Sequence, residues 1–306
     1  MTKSVRNPSL TGYFFAFTAA FGAGLANIIG KWNLEEISAL LLSCCIFTTA
    51  TIALSVFWLP FRGLRRTFVH SGKSWYWIGL FSVTSWLAIW FMWAGVARMD
   101  PSLASFLTRA EVPFVILLGV LLLKERFSRL EIWGGLLSIA GIVVMRLTLR
   151  FEYSSGFWLV LAGAFFFGLT EFVSKIAIRY VEPITLAFLR NLLMAAAYWV
   201  VFAGSGQNLD GLEKVWPGVI ALGLIGPILS RMMYLLALKH MDLSKAAIIS
   251  QTQPIFVMII AMLVWYQLPT LRETVGGICL LVGCVLMIVA RHWADRPMPL
   301  EAPKGT

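Results

Sequence analysis

The chain is a succession of apolar runs, each about as long as a membrane-crossing helix, separated by short polar breaks. A helix needs about 20 apolar residues to cross the hydrocarbon core. Ten such runs fit here, near residues 11–30, 37–59, 75–97, 102–123, 130–149, 156–178, 184–203, 215–238, 244–265 and 271–291. In lipid every backbone N–H and C=O must find its partner within the protein, so runs of this length admit helices and exclude open sheets. The expectation is an all-α integral membrane protein with ten transmembrane helices. Composition agrees: of 306 residues, 59% are hydrophobic and 13% charged, against about 25% charged in an ordinary soluble domain. The longer loops fall around 60–74, 146–155 and 204–214, too short for a separate soluble domain. The first run follows Lys3 and Arg6 in the manner of a signal peptide, but its length and the many runs after it favour a retained first helix.

Orientation follows from the loop cations. With both termini on the cytoplasmic side, the inner segments carry about 15 Lys and Arg and the outer ones about 6. The net charge of +10 is spread over these loops, where it reports orientation and contact with anionic lipid headgroups rather than nucleic acid. Cys44, Cys45, Cys279 and Cys284 lie in apolar runs without a CxxC pair, and His70, His240 and His292 lie in or beside loops. No metal site and no cofactor are expected from these residues.

The two halves superimpose at an offset of roughly 142 to 144 residues. Gly12, Gly24, Leu25 and Lys31 fall on Gly156, Gly168, Leu169 and Lys175; "MDPSLA" at Met99–Ala104 falls on "MDLSKA" at Met241–Ala246; Gly134, Gly135, Gly141 and Met145 fall on Gly276, Gly277, Gly283 and Met287. Pro113 and Pro254 match after a one-residue slip. Five spans per copy is an odd number, so the second copy must enter the membrane in the opposite sense. Inverted repeats of this kind are a common plan of secondary transporters, with the substrate site near the midplane between the copies. The expected organisation is a first repeat at 11–149, a second at 156–291 and a cytoplasmic tail at 292–306.

The stretch "GVARMDPSLASFLTRAEVPFVILLGVLLLKERFSRLEIWGGLLSIAGIVVM" resembles the second part of an EamA domain, and "ALKHMDLSKAAIISQTQPIFVMIIAMLVWYQLPTLRETVGGICLLVGCVLMIV" resembles its repeat. The whole membrane region is similar to ten-helix members of the drug/metabolite transporter superfamily. The resemblance implies an inner-membrane carrier, often an exporter, with a central cavity lined largely by helices 1, 3, 4, 6, 8 and 9. The family often has Glu directly before the Pro of the fourth helix; here Val112 holds that place and Glu111 precedes it. At the exit of the ninth span, Gln267 stands where Glu125 stands in the first copy.

Six ionisable residues lie within the spans: Arg109, Glu111, Glu171, Lys175, Arg190 and Arg231. A charge at the centre of a span costs about 2.5–3.5 kcal/mol on insertion scales, so each needs a partner or a function. A rise of about 1.5 Å per residue puts Glu171, Arg190 and Arg231 roughly 10 Å below the inner surface, with Lys175 one turn nearer the cytoplasm on the face of Glu171. Arg109 lies roughly 10 Å from the outer side. On a continuous helix Arg109 and Glu111, two positions apart, point to different faces and do not pair readily. Pro113 and Pro254 are candidate helix bends. Trp86, Trp90 and Trp93 share one face of the third span, which either packs or stacks on a planar solute.

These residues make Glu171, Lys175, Arg190, Arg231, Arg109, Glu111, Trp86 and Trp90 the candidate substrate contacts, with no catalytic residues. The expected function is alternating-access transport of a small organic metabolite bearing a carboxylate or phosphate, with a coupling ion or proton as a further partner. A flippase for lipids or lipid-linked headgroups is the nearest alternative. A membrane enzyme would need a metal carboxylate set or a nucleophile with its base, and a non-transporting receptor is the remaining class.

Overall fold

The computed structural model describes residues 10–57, 60, 68, 71–123, 128–148, 154–177, 179–240, 249–266 and 269–294. The interior of the 60–74 loop, the Lys124–Glu125–Arg126 exit, Met241–Ala246, Gln267 and most of the 292–306 tail lie outside these residues. The described residues form helices joined by short turns: α1 (Leu10–Asn33), α2 (Ala39–Phe57), α3 (Gly72–Val96), α4 (Pro101–Thr108), α5 (Glu111–Leu123), α6 (Arg129–Thr148), α7 (Ser154–Ala177), α8 (Pro183–Gly204), α9 (Leu212–Leu224), α10 (Arg231–His240), α11 (Gln253–Trp265) and α12 (Leu271–Ala294). Between α9 and α10 a π-helical stretch, Ile225–Ser230, carries the chain on without a turn.

Eight stretches among the described residues are long and apolar enough to cross a membrane. The α11 segment is shorter, 13 residues, because the chain turns at Gln251–Thr252 just before it. The fourth expected span is interrupted in the same way: α4 ends at Thr108, a turn follows at Arg109–Ala110, and α5 begins at Glu111. Pro113 and Pro254 therefore stand in the first turns of restarted helices rather than in helix interiors, where a missing N–H is least costly. Large apolar side chains face outward as well as inward, Phe14, Leu121, Trp133 and Val200 among them. That is the surface of a chain solvated by lipid, since a soluble fold rarely exposes such contiguous apolar area.

Local signals set the helix starts. Asp100 caps α4, its Oδ1 accepting from the Ser102 N–H at 2.7 Å ahead of Pro101 at the first helical position. Burial of Asp100 pushes its carboxyl up from the ordinary carboxylate value, against the capping hydrogen bonds that hold it down. Reciprocal capping boxes start α6 and α12. The Ser128 N–H donates to Glu131 Oε2 at 2.6 Å while the Glu131 N–H donates to Ser128 Oγ at 3.2 Å. Thr270 and Glu273 repeat the arrangement at 2.7 and 3.3 Å.

In packing, α6 lies most closely along α12, α3 along α7, and α2 along α8, while α1 is surrounded by α9, the π stretch, α10 and α11. The α6–α12 crossing is made by glycines. A Cβ on Gly134 would meet the Gly283 carbonyl at 2.8 Å, and one on Gly283 would meet the Gly134 carbonyl at 2.5 Å. Gly141 and Gly276 face each other in the same reciprocal way at 2.5 and 2.9 Å. The pairing of low numbers with high makes the two helices antiparallel. Lipid gives helices no hydrophobic reason to associate, so small residues that allow close backbone approach supply the contact. At the end of α1 the Lys31 ammonium donates to the Val96 and Ala97 carbonyls at 2.9 and 3.2 Å, binding it to the last turn of α3. The Trp93 ring fills the notch over Gly30 beside it.

Candidate functional site

The interruption between α4 and α5 decides the arrangement of charge. Arg109 and Glu111 form an ion pair, Nη1 to Oε1 at 3.2 Å, contrary to the expectation from a continuous helix. The turn at Arg109–Ala110 rotates the two positions relative to helical spacing, so side chains two apart can meet. The freed Arg109 carbonyl accepts from the Val112 N–H at 3.1 Å and from the Cys284 thiol at 3.3 Å. The pair is largely buried, 7% and 21% exposed by side chain, and the Arg109 Nε finds no hydrogen-bond partner among the described residues.

A second pair faces it. Glu171, midway along the C-terminal half of α7, accepts from Arg231 Nη1 at 3.3 Å. Arg231 is the first residue of α10, directly after the π stretch. A π turn adds a residue to the winding and shifts every later side chain around the axis, and such turns recur at functional sites. Pro227 within the stretch removes a backbone donor, and Ser230 Oγ donates to the Ala19 carbonyl of α1 at 2.9 Å. This second pair is more open, 33% and 41% exposed. Glu111 lies within electrostatic reach of Glu171 and Arg231, and Tyr234 lies within electrostatic reach of all four groups. The fourth, sixth and eighth expected spans thus bring two acids and two bases together. Arg109, through its pairing with Glu111, belongs to this set rather than standing apart from it.

Arg190 on α8 approaches this set only through space. Its Nε donates to Met194 Sδ at 3.3 Å, and its guanidinium lies 5.8 Å from the Phe47 ring centre and 5.7 Å from that of Phe81. Lys175 is helical, one turn beyond Glu171, but its side chain lies outside the described ones.

Trp86 and Trp90 are half-buried with ring centres 5.5 Å apart, and both meet Tyr198, at 5.6 and 6.4 Å. Tyr198 stacks on Phe47 at 5.8 Å and donates its hydroxyl to the Trp86 carbonyl at 3.0 Å. Tyr198, Phe47, Phe81, Tyr234 and Cys284 were not expected at the site. Arg190, Met194 and Tyr198 recur at i, i+4 and i+8, which is the one local signal that could have found the tyrosine. Among the described residues no group of three or more His, Cys, Asp or Glu could hold a metal ion.

Residues 10–147 and 154–289 each match the EamA-like transporter family. An uncharacterized transporter of Synechocystis sp. is 23% identical over 71% of this chain and 66% of its own length. An uncharacterized transporter of Methanothermobacter thermautotrophicus is 23% identical over 60% of this chain and 55% of its own. The matches thus span less than two thirds of either relative. One crystal structure aligns over 92% of this chain and 98% of its own at a TM-score of 0.64 and 18% identity, a likeness of fold. With family matches running through both halves of a many-spanning apolar helical chain, the protein is a multi-pass membrane protein and belongs to the EamA-like transporter family of the drug/metabolite transporter superfamily.

Proposed function

We propose that the chain is a secondary transporter, working as an exporter, that moves a small organic metabolite through the centre defined by α4, α5, α7 and α10. Access alternates between two inverted five-helix repeats, at 11–149 and 156–291, in a ten-helix bundle in the inner membrane with both termini in the cytoplasm. The reciprocal glycine crossing of α6 and α12 supports the inverted plan: equivalent positions exchange partners across an antiparallel contact, as a two-fold axis in the membrane plane requires. The turns at Arg109–Ala110 and Gln251–Thr252 fall at the same offset.

The observation that carries the transport site is the pair of ion pairs, Arg109–Glu111 and Arg231–Glu171, gathered at membrane depth beside an interrupted helix and a π turn. Ionisable residues held inside a bundle mark substrate and ion pathways. Irregular backbone is tolerated there only where it is buried or lines a cavity. The Trp86 and Trp90 faces supply an apolar wall for the body of the solute. Purified protein in sealed vesicles, offered a panel of labelled metabolites, should accumulate at least one saturably above protein-free vesicles, and Arg231→Gln should abolish that uptake. Uptake no greater than in protein-free vesicles for every solute would sink the transport reading; full uptake in the variant would remove Arg231 from the site.

A further inference from the structure

The charges at the centre do not cancel. Arg109 is balanced by Glu111 and Arg231 by Glu171, which leaves the guanidinium of Arg190. No carboxylate among the described residues lies within ion-pair distance of it. Glu171 attracts it through space while Arg231 repels it. Its described contacts are a thioether at 3.3 Å and two ring faces near 5.8 and 5.7 Å. These are weak acceptors, and they leave both terminal amino groups of a five-donor fork without a hydrogen-bond partner among the described residues. The Phe47 ring beside Arg190 packs on Tyr198, which meets Trp86 and Trp90; Phe47 and Tyr198 are 2% and 0% exposed, so the reachable rings of this cluster are the half-buried Trp86 and Trp90. Among the described residues the Trp86 indole N–H also lacks a hydrogen-bond partner.

We propose that Arg190 is the anion-recognition residue of this carrier, taking a carboxylate or phosphodiester whose organic body lies against Trp86 and Trp90. This rests on the transport reading above and deepens it. The anion goes to Arg190, not to Arg231, whose guanidinium Glu171 already holds. Among the described side chains three arginines stand with two glutamates, an excess of positive charge that an anion offsets and a cation adds to. The flat guanidinium fork, held between rings, matches an oxyanion in two hydrogen bonds.

The test is thermal stabilisation of the purified protein in neutral detergent, since a ligand that binds only the folded state raises Tm by mass action. The probes are benzoate and 3-phenylpropionate and their uncharged amides. A parallel arm adds phosphatidylglycerol or phosphatidylcholine to the micelles. Either a monocarboxylate or phosphatidylglycerol should raise Tm, the first identifying a free solute and the second a lipid headgroup. The amides and phosphatidylcholine should act weakly. Arg190→Gln should weaken the active anion by about ten-fold or more, and Arg190→Lys should restore part of it. The acid-against-amide comparison uses the unaltered protein, so it decides the matter even if Arg190→Gln does not fold. Equal shifts from acid and amide, undiminished binding in Arg190→Gln, or no shift from any of these anions would overturn the proposal. Vesicle uptake of a neutral or cationic solute that survives Arg190→Gln would leave the transport reading standing while removing this one. Anion binding without any uptake would do the reverse.

Discussion

At the scale of single residues, the two ion pairs differ in how much solvent they have lost, and that difference has a measurable consequence. Glu111→Gln leaves Arg109, 6% exposed, as an uncompensated buried cation. Breaking a buried pair costs about 3–5 kcal/mol, and the partial exposure of Glu111 brings the expected loss to about 2–3 kcal/mol. Glu171→Gln strands Arg231 in a far more open position, where an ion pair is worth about 1 kcal/mol or less. Thermal unfolding of the two variants in one detergent should therefore show a large drop in Tm for Glu111→Gln and a small one for Glu171→Gln. Equal drops would mean that the centre is uniformly dry. Uptake should respond in the opposite order, because the open pair is the one a solute can reach.

At the scale of elements, α6 and α12 are held together by backbone approach rather than by side-chain bulk. Gly141 is pressed onto the Gly276 carbonyl at 2.5 Å and onto the backbone of Leu280 at 2.6 Å, so Gly141→Ala has nowhere to put a methyl group. Overpacking of this kind costs about 1–3 kcal/mol, and it should reach the upper end here because two backbones, not a flexible side chain, must give way. The neighbouring Gly135 meets only the flexible end of Met287, at 3.6 Å. Gly135→Ala should be tolerated, with Tm within a degree or two of the parent. Comparable losses in both variants would show that helix propensity, not the crossing, governs these positions. Both capping boxes have their sequence signal in S-x-x-E and T-x-x-E, a motif whose hydrogen bonds close within one helical turn and so depend on nothing distant.

At the scale of the whole molecule, the proposed ten-helix inverted arrangement makes a topological prediction. A compartment reporter fused after Arg291 should signal cytoplasm, and one inserted in the 204–214 loop should signal the outside, as the bias of loop cations requires. The same compartment for both would rule out that arrangement. What the amino-acid order determined alone is whatever depends on solvent and on the helical period. Long apolar runs make the chain helical and membrane-crossing, and the quoted motifs place it in its family, because each is read within one helix. The central charges were legible as a set for the same reason: a charge in an apolar run stands out wherever the run is placed. Their partners were not. Arg109 and Glu111 looked incompatible on a continuous helix, and only the turn at Arg109–Ala110 joined them. Arg190 carried no sign of its place between Phe47 of α2 and Phe81 of α3. Lipid rewards burial of any apolar face equally, so helix-to-helix contacts, and with them the choice of partner for each charge, are settled only when the surfaces of all the helices are fitted together.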